Sequence, residues 1–180
     1  MKKTIIGVTC LLSLCLMTAC GGSGSGASSK AAGSSSAAES SGAMVGMANP
    51  WVDFGTPEEA SKATGFTMEV PDKFDGNPRT LVQAIKNEMM QVFYSDKAIG
   101  LEGTKKTIIR KSNKKGDISG DYNDYKKTET VKVNDIEATF KGDGTKVFNI
   151  TWTAGDYSYA IMSDTGISSG EAMTMVSLVK

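Results

Sequence analysis

The sequence predicts an α+β domain: an antiparallel β-sheet, with a meander in its C-terminal half, packed with an N-terminal and a C-terminal helix. Three observations predict it. A capped helical segment opens at Thr56, period-two apolar alternation runs from Val131 to Met162, and a second capped segment with a helical apolar stripe begins at Ser168. Helical signals on either side of a run of alternating strands suit an antiparallel sheet with helices on one face.

The elements follow in chain order. In FGTPEEASKATG, Thr56 is a suitable N-cap, Pro57 fits the first helical position and Glu59 completes a capping box. Gly65 is a natural stop. Residues 66–70 read as a short strand closed by Pro71. Residues 80–85 and 88–94 are apolar, β-branched runs about a tight turn at Lys86-Asn87, and residues 107–111 are a further strand candidate.

The second half is more regular. Val131 and Val133 alternate with Lys132, and Asn134-Asp135 supplies a hairpin turn. Ile136, Ala138 and Phe140 lead to a turn at Gly142-Asp143-Gly144, and Phe148, Ile150 and Trp152 share the next strand face. Ala154-Gly155-Asp156 turns the chain into residues 157–162. Ser168 then caps a helix with Glu171 at its third position, and Ala172, Met175, Val176 and Val179 form its apolar stripe.

Ahead of this domain the composition changes twice. Lys2 and Lys3 precede an apolar run ending at Met17, and all three cysteines fall in the first twenty residues. The run is shorter than the roughly 18–20 residues a membrane-spanning helix needs, and its layout is that of an export signal. The segment LMTAC resembles the lipobox of bacterial lipoprotein precursors, with Thr18 and Ala19 as the small residues before Cys20. That resemblance implies a signal peptide over residues 1–19 and a diacylglycerol thioether on the Cys20 sulfur. Cys10 and Cys15 would leave with the signal, so no internal disulfide is expected. Residues 20–48 are dominated by Gly, Ser and Ala, which predicts a disordered tether. A coil of that length spans roughly 30 Å. Residues 49–180 are then a single α+β domain.

Composition removes whole classes of chemistry. The chain has 20 basic and 20 acidic residues and no histidine, which gives no reason to expect nucleic acid as a partner. Without histidine, Ser-His and Cys-His nucleophile pairs cannot be built, and zinc loses its usual ligands. No phosphate loop or dinucleotide fingerprint follows a candidate strand. The reading is therefore of a protein that is not an enzyme, with no catalytic residue and no cofactor.

Three binding features remain. In GDISGDYNDYKK, Asp117, Asp121 and Asp124, with Asn123, are a weak candidate calcium site, set against a turn in which Asp and Asn cap nearby amides. Lys105, Lys106, Arg110, Lys111, Lys114 and Lys115 form a basic cluster, read as a solvated strand and loop or as a patch for anionic polymers. Tyr122, Tyr125, Trp152, Tyr157 and Tyr159 read as core and cross-strand pairs before they read as a ligand platform.

The ordered series NPWVDFGTPEEASKATGFTMEVPD, GDISGDYNDY and TWTAGDYSYAI resembles the domain-of-unknown-function family 4367, found in exported and membrane-tethered proteins of Gram-positive-type bacteria. Asn77-Pro78-Arg79 and AIGLEGTKK depart from its pattern. The resemblance implies an extracytoplasmic domain and supplies no catalytic residues. The expected function is a lipid-anchored lipoprotein on the outer face of the cell membrane, with a binding or sensing domain for an unknown protein or small molecule. A structural envelope scaffold and a lipid or lipopeptide carrier are the alternatives.

Overall fold

The computed structural model describes residues 49–180. The readings of residues 1–19 as a signal peptide, of Cys20 as a lipidated residue and of residues 20–48 as a tether lie outside the described residues. The fold is mostly antiparallel β-sheet with two helices, one near each end of the described residues. Its elements are β1 (Val52–Phe54), α1 (Pro57–Thr64), β2 (Lys73–Phe74), β3 (Asn77–Ile85), β4 (Met89–Ser95), β5 (Lys106–Ser112), β6 (Lys127–Val133), β7 (Ile136–Gly142), β8 (Val147–Ala154), β9 (Tyr157–Ile167) and α2 (Ser169–Leu178).

The strands lie in the order β1-β3-β4-β5-β9-β8-β7-β6, with β2 paired to the start of β3. All pairings are antiparallel. The expected meander is present over β6 to β9. Its first turn is set by Val133 facing Ile136 across Asn134 and Asp135, with Asn134 at φ 54°. β9 then returns to pair with β5, placing Ile161 opposite Ile109 and joining the two halves of the chain in one sheet.

Pleating divides the side chains between two faces. One face carries Val82, Met90, Val92, Tyr94, Ile109 and Ile161, each no more than 1% exposed. These residues share a core with Ala60 of α1 and with Ala172, Met175 and Val176 of α2. At such positions truncating Met90 or Ile109 to Ala would cost about 2–5 kcal/mol. The buried Tyr94 hydroxyl donates to the Pro71 carbonyl at 2.6 Å. Burial raises its phenol well above the usual range.

The helix signals act as read, with one difference. Ser168 and Glu171 form a reciprocal capping box. Thr56 Oγ1 accepts from Glu59 N at 3.2 Å, but Glu59 reaches past the cap to the backbone N–H of Gly55 at 3.0 Å. Gly65 ends α1 at φ 81°, where a side chain would be strained.

Two local expectations are corrected. Residues 66–70 are not a strand of the sheet. Phe66 and Met68 are buried, but the segment's reciprocal backbone bonds are with one residue, Glu69 with Lys180 at 2.8 and 3.2 Å. The turn at Lys86-Asn87 also includes Glu88, because Ile85 faces Met89 and Asn87 takes φ 57°. β1 and β2 are too short for period-two patterning to announce them.

Candidate functional site

The second face of the sheet carries the polar chemistry. Along β5, Ile109 and Lys111 turn toward the helices, so Ile108 and Arg110 turn away from them. Asp53, Gln83, Gln91 and Arg110 occupy one cross-strand row through β1, β3, β4 and β5. Their side chains bond in sequence. Gln83 Nε2 donates to Asp53 Oδ1 at 2.7 Å, Gln91 Nε2 to Gln83 Oε1 at 2.7 Å, and Arg110 Nε to Gln91 Oε1 at 2.8 Å.

Arg110 then ties the row to the loop between β5 and β6. Its Nη1 donates to the carbonyls of Ile118 and Ser119, and its guanidinium lies 5.7 Å from the Trp51 ring centre. Burial lowers its affinity for the proton, yet a guanidinium stays charged at neutral pH. The loop is held at two further points. Lys141 Nζ donates to Asp117 Oδ2 at 3.1 Å, and Asn149 Nδ2 donates to Ser119 Oγ at 3.1 Å and to Asp121 Oδ2 at 2.9 Å.

Within the loop the acidic residues build turns. Asp117 Oδ1 accepts from the backbone N–H of Ser119 at 2.9 Å, and Asp121 Oδ1 from that of Asn123 at 3.0 Å. The Tyr125 hydroxyl donates to Asp121 Oδ2, and its ring stacks on Phe148 at 6.3 Å. Burial opposes ionisation of Asp121, but the bonds from Tyr125, Asn123 and Asn149 outweigh it and hold the carboxyl below its ordinary value. The same contest at Asp117, with donors from Ser119 and Lys141, has the same sign. Burial and the Asp121 carboxylate push the Tyr125 phenol up to about 12.

Between this loop and the sheet lies an open cleft of about 720 Å³. Its apolar lining is Ile108, Phe148 and Met162, with Tyr125 beside them, and Asp121, Asp124, Asp143 and Asp164 supply its carboxylates. Arg110 and Lys126 are its cations. A cleft of this size is within the range of about 300–1,000 Å³ that small-molecule sites occupy.

The sequence candidates separate in space. Asp121 and Asp124 line the cleft, while Asp117 lines a different groove beside Lys132 and Glu137. Among the described residues, no three His, Cys, Asp or Glu side chains converge as a metal site. The basic cluster also breaks up. Lys106 pairs with Asp164 at 3.4 Å, Lys114 with Glu88 at 3.8 Å and Lys115 with Asp156 at 3.9 Å. Lys111 is buried on the helix side, where Nζ donates to the Thr67 carbonyl at 2.7 Å and lies 4.5 Å from the Tyr157 ring centre. Lys105 lies just ahead of β5.

Of the aromatics, Trp152 and Tyr159 are buried and stacked at 5.0 Å with an interplanar angle of 5°. Tyr157 packs on Phe66 at 5.1 Å. Tyr122 is 96% exposed, which leaves Tyr125 as the candidate aromatic that lines the cleft. Gln83, Gln91 and Asn149 escaped the sequence reading. The one signal for them was a polar residue at each of three otherwise apolar or β-branched strands.

No protein-family model, no curated protein and no solved structure matches the chain.

Proposed function

We propose that this chain is a lipid-anchored lipoprotein of the extracytoplasmic face of the cell membrane, whose α+β domain, of the kind family 4367 describes, binds or senses a ligand without catalysis. The observation that carries the binding reading is the cleft of about 720 Å³ between the 117–126 loop and the sheet. A carrier of lipid would call for a deep apolar cavity beneath the sheet, and Tyr94, Phe140 and Met90 fill the core there. A scaffold would need no cleft. The anchor rests on LMTAC at the end of the apolar run, and the tether on the Gly/Ser/Ala composition that follows. Two acyl chains suffice for stable membrane attachment. The non-catalytic reading rests on the absence of histidine and of any cysteine beyond Cys20.

Two measurements test this. Mass spectrometry of the N-terminal peptide should find Cys20 acylated, with the chain in the detergent phase and a Cys20→Ala variant in the aqueous phase. An unmodified Cys20 would overturn the anchor. A photocrosslinking residue at position 124 should capture a discrete species in intact cells that the same residue at position 132 does not. Equal capture at both would overturn the binding reading.

A further inference from the structure

We propose that β1 is a release clip for the cleft loop: while β1 is docked it helps hold the 117–126 loop against the sheet, and when it detaches the loop loosens. This inference rests on the cleft being a binding site and names how access to that site is regulated.

β1 is the element of the sheet most easily detached. It has three residues, lies at one end of the strand order and pairs with β3 alone. Val52 and Asp53 are exposed, and Phe54 is the one residue of the strand that packs on the core. Edge elements with so little burial open at a small fraction of the global unfolding free energy. β4 and β5, by contrast, each lie between two strands.

Two contacts link this strand to the loop, and both pass through Arg110. Trp51, immediately ahead of β1, places its ring 5.7 Å from the Arg110 guanidinium. Asp53 Oδ1 accepts from Gln83 Nε2 at 2.7 Å and is the terminal acceptor of the row that runs through Gln91 to Arg110 Nε. Arg110 Nη1 in turn holds the carbonyls of Ile118 and Ser119. When β1 leaves, the guanidinium loses its aromatic neighbour and Gln83 loses the carboxylate that orients its amide. Water then competes for the bonds to the loop, and a charge-assisted bond weakens as its surroundings become more polar. The consequence reaches two openings, because Asp121 to Lys126 border the cleft while Gly116 and Asp117 border a second groove of about 530 Å³. Every residue of the proposed anchor and tether joins the domain ahead of Trp51, so a pull on the anchor reaches β1 before any other element.

Hydrogen–deuterium exchange of the full chain in detergent tests the coupling. The reporters are the amides of Ser119, Asp121 and Asn123, each bonded to a side chain of the loop. Trp51→Ala with Asp53→Ala should speed their exchange about tenfold and leave the amides of β7 unchanged. Asp53→Ala alone, at an exposed position, should give a smaller increase of the same pattern, and Asp53→Asn, which keeps an acceptor for Gln83, should restore the parent rate. Loop exchange unaltered by either variant would overturn the clip. Acceleration shared equally by β7 would also overturn it, since β1 would then be stabilising the whole fold. The readout needs no ligand, so failure here leaves the binding reading to the photocrosslinking result, in which β1 takes no part.

Discussion

Gln91 bonds Arg110 through one end of its amide and Gln83 through the other, at 2.8 and 2.7 Å, so a single residue of β4 joins the edge of the sheet to the cleft loop. Gln91 is 3% exposed, and water cannot replace either bond. The order of donors and acceptors runs one way, from Arg110 through both glutamines to Asp53.

Removing the middle of this row should leave partners on both sides unsatisfied. Gln91→Ala is expected to cost about 1–3 kcal/mol in urea unfolding. Arg110→Ala, which also frees the carbonyls of Ile118 and Ser119, is expected to cost more than Gln91→Ala, since each buried acceptor left without a donor costs about 1–3 kcal/mol. The double variant should lose less than the sum, because both act on one network. Additive losses would show the row to be a set of independent contacts. Arg110→Lys should recover little, since an ammonium cannot present the planar fork.

Lys111 serves the opposite face. Its ammonium is held by the Thr67 carbonyl among the rings of Phe66, Tyr157 and Tyr159. Burial lowers its pKa. Lys111→Ala should cost about 2–4 kcal/mol by leaving a cavity among aromatic rings. Lys111→Met fills that space without a buried charge and should lose less than half as much. Equal losses in thermal melts would mean the ammonium contact, not packing, holds residues 66–70 down.

Acid should loosen the cleft loop first. Asp121 has a folded pKa below its ordinary value, so between the two the unfolded chain binds more protons and stability rises with pH. The contribution is complete above about pH 4 and is lost as pH falls through the folded value. Asp121→Asn should flatten the stability profile below pH 4. Tyr125 has the opposite sign: its folded value of about 12 exceeds the ordinary 10.0, so its contribution is present below pH 10 and lost toward pH 12. Tyr125→Phe should abolish that alkaline loss.

Gly166 lets β9 pass close to Phe148. It takes φ +65°, and a Cβ there would lie 2.9 Å from the Phe148 ring and from Lys146 Cβ. Gly166→Ala should therefore cost about 1–3 kcal/mol and displace the ring on which Tyr125 stacks. Near-UV circular dichroism should report the lost aromatic order.

Local signals were the legible ones. Thr56, Pro57 and Gly65 bounded α1, Ser168 and Glu171 opened α2, and Asn134-Asp135 placed a hairpin, because each acts through neighbours in the chain. Residues 66–70 read as a short strand, and local pattern could not say that Phe66 and Met68 are buried in a segment that joins no strand ladder. The basic cluster looked continuous in sequence, and the pleat then sent Arg110 and Lys111 to opposite faces. Asp121, Asp124 and Tyr125 were singled out as chemistry-bearing, whereas Ile108, Phe148 and Met162 beside them were not. What unites those groups is the pairing of β5 with β9 and the fold-back of the loop, both long-range.

The β5–β9 seam also governs how the molecule assembles. Hairpins on either side of it close over short loops, which take microseconds, whereas Thr107 must find Ser163 across 56 positions. The strands β3 to β5 and the meander of β6 to β9 should thus nucleate separately and zip together late, so that substitutions at Ile109 or Ile161 accelerate unfolding more than they slow refolding.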